Sequence, residues 1–147
     1  MPVSSAMSPR EMTESLNRDA TKAHAPPTSA AEARAVVTAV LDSASRSRDD
    51  EAAMDALLAT SELATNAILH GGGITAFDVE ITDDGLDVTI ADSSEELPAL
   101  ATDRGEEFPR AGGYGWAVVR RLAKIINITV CPGTGKTLSV LLPLRHI

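Results

Sequence analysis

Apolar positions in this chain follow two spacings, a helical one in the first half and again near residue 116, and a two-residue alternation in two pairs of short segments. Ser29 and Glu32 have capping-box spacing ahead of the run Ala33 to Ala44, which predicts a helix with Val36, Val37, Val40 and Leu41 on its apolar side. After the charged turn Arg46 to Asp49, a second helix is predicted from about Asp50, because acidic residues suit the positive end of a helix dipole. On that helix Met54, Leu57, Leu58, Ser61, Thr65, Ile68 and Leu69 recur on one side, which the period assigns to packing. Glu62 and Asn66 fall on the flank of that side, and Gly71-Gly72-Gly73 ends the helix.

The alternating segments pair off through turns. Phe77 to Thr82 and Leu86 to Ala91 flank Asp83-Asp84-Gly85, while Ile126 to Cys131 and Lys136 to Leu142 flank Pro132-Gly133-Thr134-Gly135, so each pair reads as a hairpin. Between the hairpins, Asp92 to Gly112 shows neither period, and a loop of that length in a compact domain reads as a functional lid. Gly112-Gly113-Tyr114-Gly115 then leads into a third helical pattern with Trp116, Val119, Leu122, Ala123 and Ile126 on one side. Hairpins with helices elsewhere predict a two-layer α+β sandwich, its mostly antiparallel mixed sheet covered on one face by helices. Met1 to Pro27 has no sustained period and ends in Pro26-Pro27, so it reads as a mobile arm ahead of one domain over residues 28–147.

Composition narrows the function classes. With 147 residues and 44% apolar, the chain can build one real core. A net charge of −8 argues against a nucleic-acid partner, which calls for a basic face. No apolar run approaches the roughly 20 residues of a membrane span, and the N-terminus lacks a signal-peptide core, so a cytoplasmic protein without membrane contact is expected. The single cysteine, Cys131, allows no intrachain disulfide or multi-cysteine metal site and reads as a small buried strand residue.

The candidate chemistry starts with Glu62 and Asn66, one turn apart on one helix face. Such a pair also occurs on ordinary helix surfaces. A carboxamide oxygen is, however, a hard ligand suited to Mg²⁺, and a carboxylate beside it could order a bound water or accept a proton from a hydroxyl. Asp92 follows a strand; it is either a surface turn residue or an acceptor for an exocyclic amine such as that of adenine. Gly113 and Gly115 make either a tight turn or a place where the backbone can approach a phosphate at a helix start. His70, in a last helical turn, suits the dipole without any catalytic task. Gly133-Thr-Gly135-Lys136-Thr137 has the look of a Walker loop but lacks its upstream glycine and following helix, and reads as a hairpin turn.

Together these segments resemble the ATPase superfamily of gyrase, the ninety-kilodalton heat-shock chaperone, sensor histidine kinases and MutL, and within it the bacterial anti-sigma factors that are serine-protein kinases. The resemblance lies in the N-box Glu62-Leu-Ala-Thr-Asn66-Ala-Ile-Leu-His70-Gly71, a degenerate first glycine box Asp92-Ser-Ser94-Glu-Glu-Leu-Pro98, a second box Gly113-Tyr-Gly115-Trp116, and a closing motif Gly135-Lys136-Thr137. It implies a Bergerat-type fold binding ATP with Mg²⁺. Glu62 would be the general base, Asn66 the Mg²⁺ ligand and Asp92 the adenine reader, with Thr137 supporting the adenine end. Gly113 and Gly115 would lie at the phosphates, and His70, Ser94, Tyr114 and Trp116 would join the nucleotide site. The implied partners are a sigma factor and an antagonist protein phosphorylated on serine, and the branch commonly forms homodimers. Two departures stand out: Ser94 replaces a common glycine, and Trp116 a small aliphatic residue.

Overall fold

The structure, a computed structural model, describes residues 25–44, 49–98 and 113–145. The capping box at Ser29 opens helix α1 (Ala30–Ser43), with the Ser29 side chain accepting the Glu32 N–H at 3.1 Å. The return arm reaches one residue further back than the motif specifies. The Glu32 carboxylate accepts from the Thr28 backbone N–H at 3.0 Å and from the Thr28 hydroxyl, and these bonds hold its carboxyl below the ordinary value. Ala33, Val37 and Leu41 form the buried side of α1, with Val36 and Val40 packed at its margin.

Helix α2 (Asp50–His70) starts on Asp49, whose carboxylate accepts from the Glu51 and Ala52 N–H groups, and stops at Gly71. Its ends match the sequence reading, but its packed face does not. The buried residues are Ala52, Ala53, Ala56, Ala59, Thr60, Leu63, Ala64 and Ala67, whereas Met54 (71% exposed), Leu58 and Leu69 face outward. Helical geometry places the Met54–Leu58 stripe roughly half a turn from Ala56 and Leu63. The physical reason is crowding: α2 packs between α1 and α3 (Gly113–Leu122) and over the sheet, and short side chains let helix backbones come close on several sides. Glu62 and Asn66 remain on a border, both half-buried, but it is the border of the alanine face.

Strands β1 (Ile74–Thr82), β2 (Gly85–Asp92), β3 (Ile125–Cys131) and β4 (Gly135–Leu142) form a sheet in the order β1-β2-β4-β3. All three pairings are antiparallel. Strict alternation on β2 and β4 sends Leu86, Val88, Ile90, Leu138, Val140 and Leu142 into the core. The core also takes in Val79, Trp116 and Val119. Helix α3 ends at Leu122, so Ile126 belongs to β3 and not to the helical stripe. Cys131 is exposed rather than buried, because β3 is an edge strand whose outer residues have no layer above them. Residues 1–24, most of the expected arm, lie outside the described residues, as do 45–48 within the charged turn and 99–112 of the expected lid; Pro27 is buried.

Candidate functional site

The end of α2, the end of β2 and the start of β4 meet at Asp92, and the first turn of α3 meets α2 at Glu62. Asp92 is the last residue of β2, on the same face as Ile90, and is only 6% exposed. A buried carboxylate needs a partner. It has Lys136, its register neighbour on β4, itself 7% exposed, with Nζ 2.9 Å from Oδ2 and 3.0 Å from Oδ1. The Ser94 N–H also donates to Oδ1 at 2.9 Å, and the Ser94 carbonyl accepts from Lys136 Nζ at 3.2 Å. Lys136 thus ties β2, β4 and the root of the following segment.

Two glycines make these approaches possible. A Cβ at Gly71 would overlap the Asp92 carboxyl group. Gly135, with φ of +149°, lies so close to the Asp92 carbonyl that a side chain would collide with it. The end of α2 is held to the end of β2 by Ser93, whose backbone N–H (3.0 Å) and hydroxyl (2.9 Å) both donate to the Gly71 carbonyl.

On the other side of this junction, the Glu62 carboxylate reaches α3: a Cβ on Gly115 would overlap Glu62 Oε2. A carboxylate at the first turn of a helix is favoured by the dipole and by the free N–H groups there. Asn66, half-buried one turn further along α2, stands between Glu62 and the Gly71–Asp92 contact. The second half of α2 thus meets α3 at Glu62 and the end of β2 at Gly71, about 13 Å apart along the helix, with Asn66 between them in the chain; Ser94 bonds Asp92, and Gly113 opens α3. His70 occupies the exposed last turn of α2. Trp116 is 6% exposed within the hydrophobic core, and the Tyr114 side chain lies outside the described residues.

Thr137 stands apart. On β4 residues 136, 138, 140 and 142 are buried and face the helices, so Thr137, half-buried and paired with Ala91 and Thr129, is on the other face. The inner position belongs to Lys136, to which the sequence reading gave a place at the start of the strand but no role of its own. Counting back by twos from Leu142 would have found it, and a lysine on an inward face calls for a buried acid.

The sequence profile of the histidine kinase-like ATPase domain matches residues 23–141. The chain belongs to that family. No curated protein matches it. Similar solved structures include the blue-light activated histidine kinase of Erythrobacter litoralis EL346, at 20% identity and a TM-score of 0.48, covering 78% of this chain and 41% of that one. A histidine kinase domain of the same protein aligns at 19% identity and a TM-score of 0.47, covering 88% of this chain and 69% of that one. The chain thus spans less than half the length of the first of these kinases.

A histidine kinase-like ATPase domain implies a nucleotide and a divalent cation, and the donors here suit both. Among the described residues no group of three acidic, histidine or cysteine side chains could hold a metal. A single carboxamide oxygen from Asn66 fits Mg²⁺ nonetheless, since that ion takes most of its ligands from water and phosphate. Gly113 and Gly115 in the first turn of α3 offer N–H groups to an anion, and Asp92 Oδ2, whose partner among the described residues is Lys136, retains acceptor capacity.

Proposed function

We propose that this chain is an ATP-dependent regulator of the anti-sigma type, which binds a sigma factor and phosphorylates a serine on an antagonist protein. The observation that carries the catalytic half is the Glu62–Gly115 approach, with Asn66 one turn away. That approach supports a proton acceptor beside a helix N-terminus, with a candidate cation ligand one turn along α2. Bound Mg-ATP would supply the phosphoryl group. Asn66 Oδ1 would hold the cation, the first turn of α3 would face the phosphates, and Asp92 Oδ2 would accept from the exocyclic amine of adenine. Glu62 would take the proton from the acceptor serine hydroxyl. The acidic surface implied by a net charge of −8 suits protein partners better than nucleic acid.

A second reading, a nucleotide-gated binding module without phosphotransfer, is favoured by one feature. Lys136 already bonds both oxygens of Asp92, so an incoming base has less acceptor capacity to use. The two readings part in one assay. Isothermal titration with ATP, with and without Mg²⁺, is followed by incubation with labelled Mg-ATP and a verified antagonist partner. The kinase reading requires both metal-dependent binding and phosphoserine. Binding without phosphoserine leaves the module, and metal-independent binding unaffected by Asn66→Ala removes the site assignment.

A further inference from the structure

An inward lysine beside an inward acid is ordinarily a buried ion pair and nothing more. The Asp92–Lys136 pair differs in how unevenly the two carboxylate oxygens are loaded. Oδ1 accepts from the Ser94 N–H at 2.9 Å and from Lys136 Nζ at 3.0 Å, whereas Oδ2 has, among the described residues, the ammonium at 2.9 Å. A carboxylate oxygen offers about two lone-pair sites. Oδ1 is therefore filled, and Oδ2 keeps one. The lysine is engaged as fully as Oδ1. Its ammonium has three protons and stands within 3.2 Å of three acceptors, the two Asp92 oxygens and the Ser94 carbonyl. Gly71 closes a further side, since even a methyl group there would overlap the carboxyl. What this leaves of Asp92 is one acceptor position, beside a lysine whose protons are already placed.

We propose that Lys136 is a positioning residue that sets the base selectivity of the nucleotide site: it limits Asp92 to accepting a single N–H and so selects adenine over guanine. The inference rests on the nucleotide reading given above and deepens it. Adenine carries an exocyclic amine at the ring position where guanine carries a carbonyl. The amine meets the open site on Oδ2. The carbonyl would meet a carboxylate oxygen, which can only accept, and an ammonium with no proton left to give. Guanine could instead lay its N1–H and its own amine side by side on both carboxylate oxygens, but that pairing needs Oδ1, which Lys136 and the Ser94 N–H already occupy. A polar group left unpaired in a closed site lowers affinity by about tenfold or more. Lys136 touches no base in this scheme. It acts by deciding which lone pairs of Asp92 remain.

Titration calorimetry on the full chain with Mg-ATP and with Mg-GTP should show tighter binding of ATP by about tenfold or more. Lys136→Arg, whose planar fork can hold both carboxylate oxygens, should keep that preference. Lys136→Met uncovers both oxygens and should shrink the ratio of the two affinities, with GTP gaining on ATP. A lysine that served the fold alone would weaken both nucleotides together and leave the ratio as it stands. Circular dichroism confirms that each variant is folded at the temperature of titration. Where Lys136→Met is not, Lys136→Gln, uncharged and one atom shorter, carries the same expectation. Equal affinities for ATP and GTP in the parent chain overturn the proposal and leave nucleotide binding in place. So does an unchanged ratio in the folded Met or Gln variant. Binding of neither nucleotide overturns the proposal together with the nucleotide reading on which it rests.

Discussion

Lys136 and Asp92 are neighbours across β2 and β4, both buried, and the lysine ammonium lies within 3.0 Å of each carboxylate oxygen. At this depth, pairing matters because an isolated charge cannot be left in the interior. Lys136→Met should therefore destabilise the domain by about 3–5 kcal/mol, read as a lower midpoint in urea. The double variant Lys136→Met with Asp92→Leu should recover much of that loss, since the uncompensated charge is gone. Equal destabilisation by single and double variants would show that the pair is not what matters.

The division of labour along α2 gives a second test. Asn66→Ala should remove the Mg²⁺-dependent part of nucleotide affinity, whereas Glu62→Gln should leave affinity within about twofold and reduce phosphotransfer by 10²–10⁴-fold, about what a general base contributes. Titration calorimetry and a single-turnover assay on the same preparations separate the two.

Gly115 sits where a methyl group would strike Glu62 Oε2. Gly115→Ala gains up to about 1 kcal/mol of helix propensity and displaces the end of a flexible side chain. Melting should thus change little or rise slightly, while phosphotransfer falls with that of Glu62→Gln. A large loss of stability instead would mean that the backbone, not the carboxylate, gives way.

The alanine face of α2 can be probed by size. Ala59→Leu, at a fully buried position, should cost about 1–3 kcal/mol through overpacking. Met54→Gln on the opposite, exposed side should stay within about 0.5 kcal/mol. Chemical denaturation of the two variants decides which face is packed, and reversed costs would restore the Met54 stripe as the core.

These contrasts show what was legible before the structure. The limits of α2 follow from Asp49 as cap and Gly71 as stop, chemistry that is local and needs no tertiary knowledge. Its packed face does not, because alanine adds little to a hydrophobic period while Met54, Leu58 and Leu69 add much, and only the neighbouring helices make small side chains the ones that fit. Hairpin turns revealed which strands pair, but not which of Lys136 and Thr137 looks inward, a matter of parity along β4. Cys131 misled for a similar reason: residue type suggests burial, and strand order places it at an edge. Glu62 and Asn66 stood out by their spacing and Asp92 by its place after a strand, each with an ordinary reading beside it until the family resemblance gave them roles, and the contacts of Asp92 with Gly71 and of Glu62 with Gly115 were not legible.

The two hydrogen bonds from Ser93 to the Gly71 carbonyl have an engineering consequence. They close the chain on itself, so the β1–β2 hairpin is an excursion that departs from and returns to one point. Its outer tip, the exposed pair Asp83-Asp84, can be lengthened without altering the distance between the end of α2 and Asp92. A fluorophore or a tag placed there would travel with the domain yet leave the contacts of Asp92 with Gly71 and of Glu62 with Gly115 as they are.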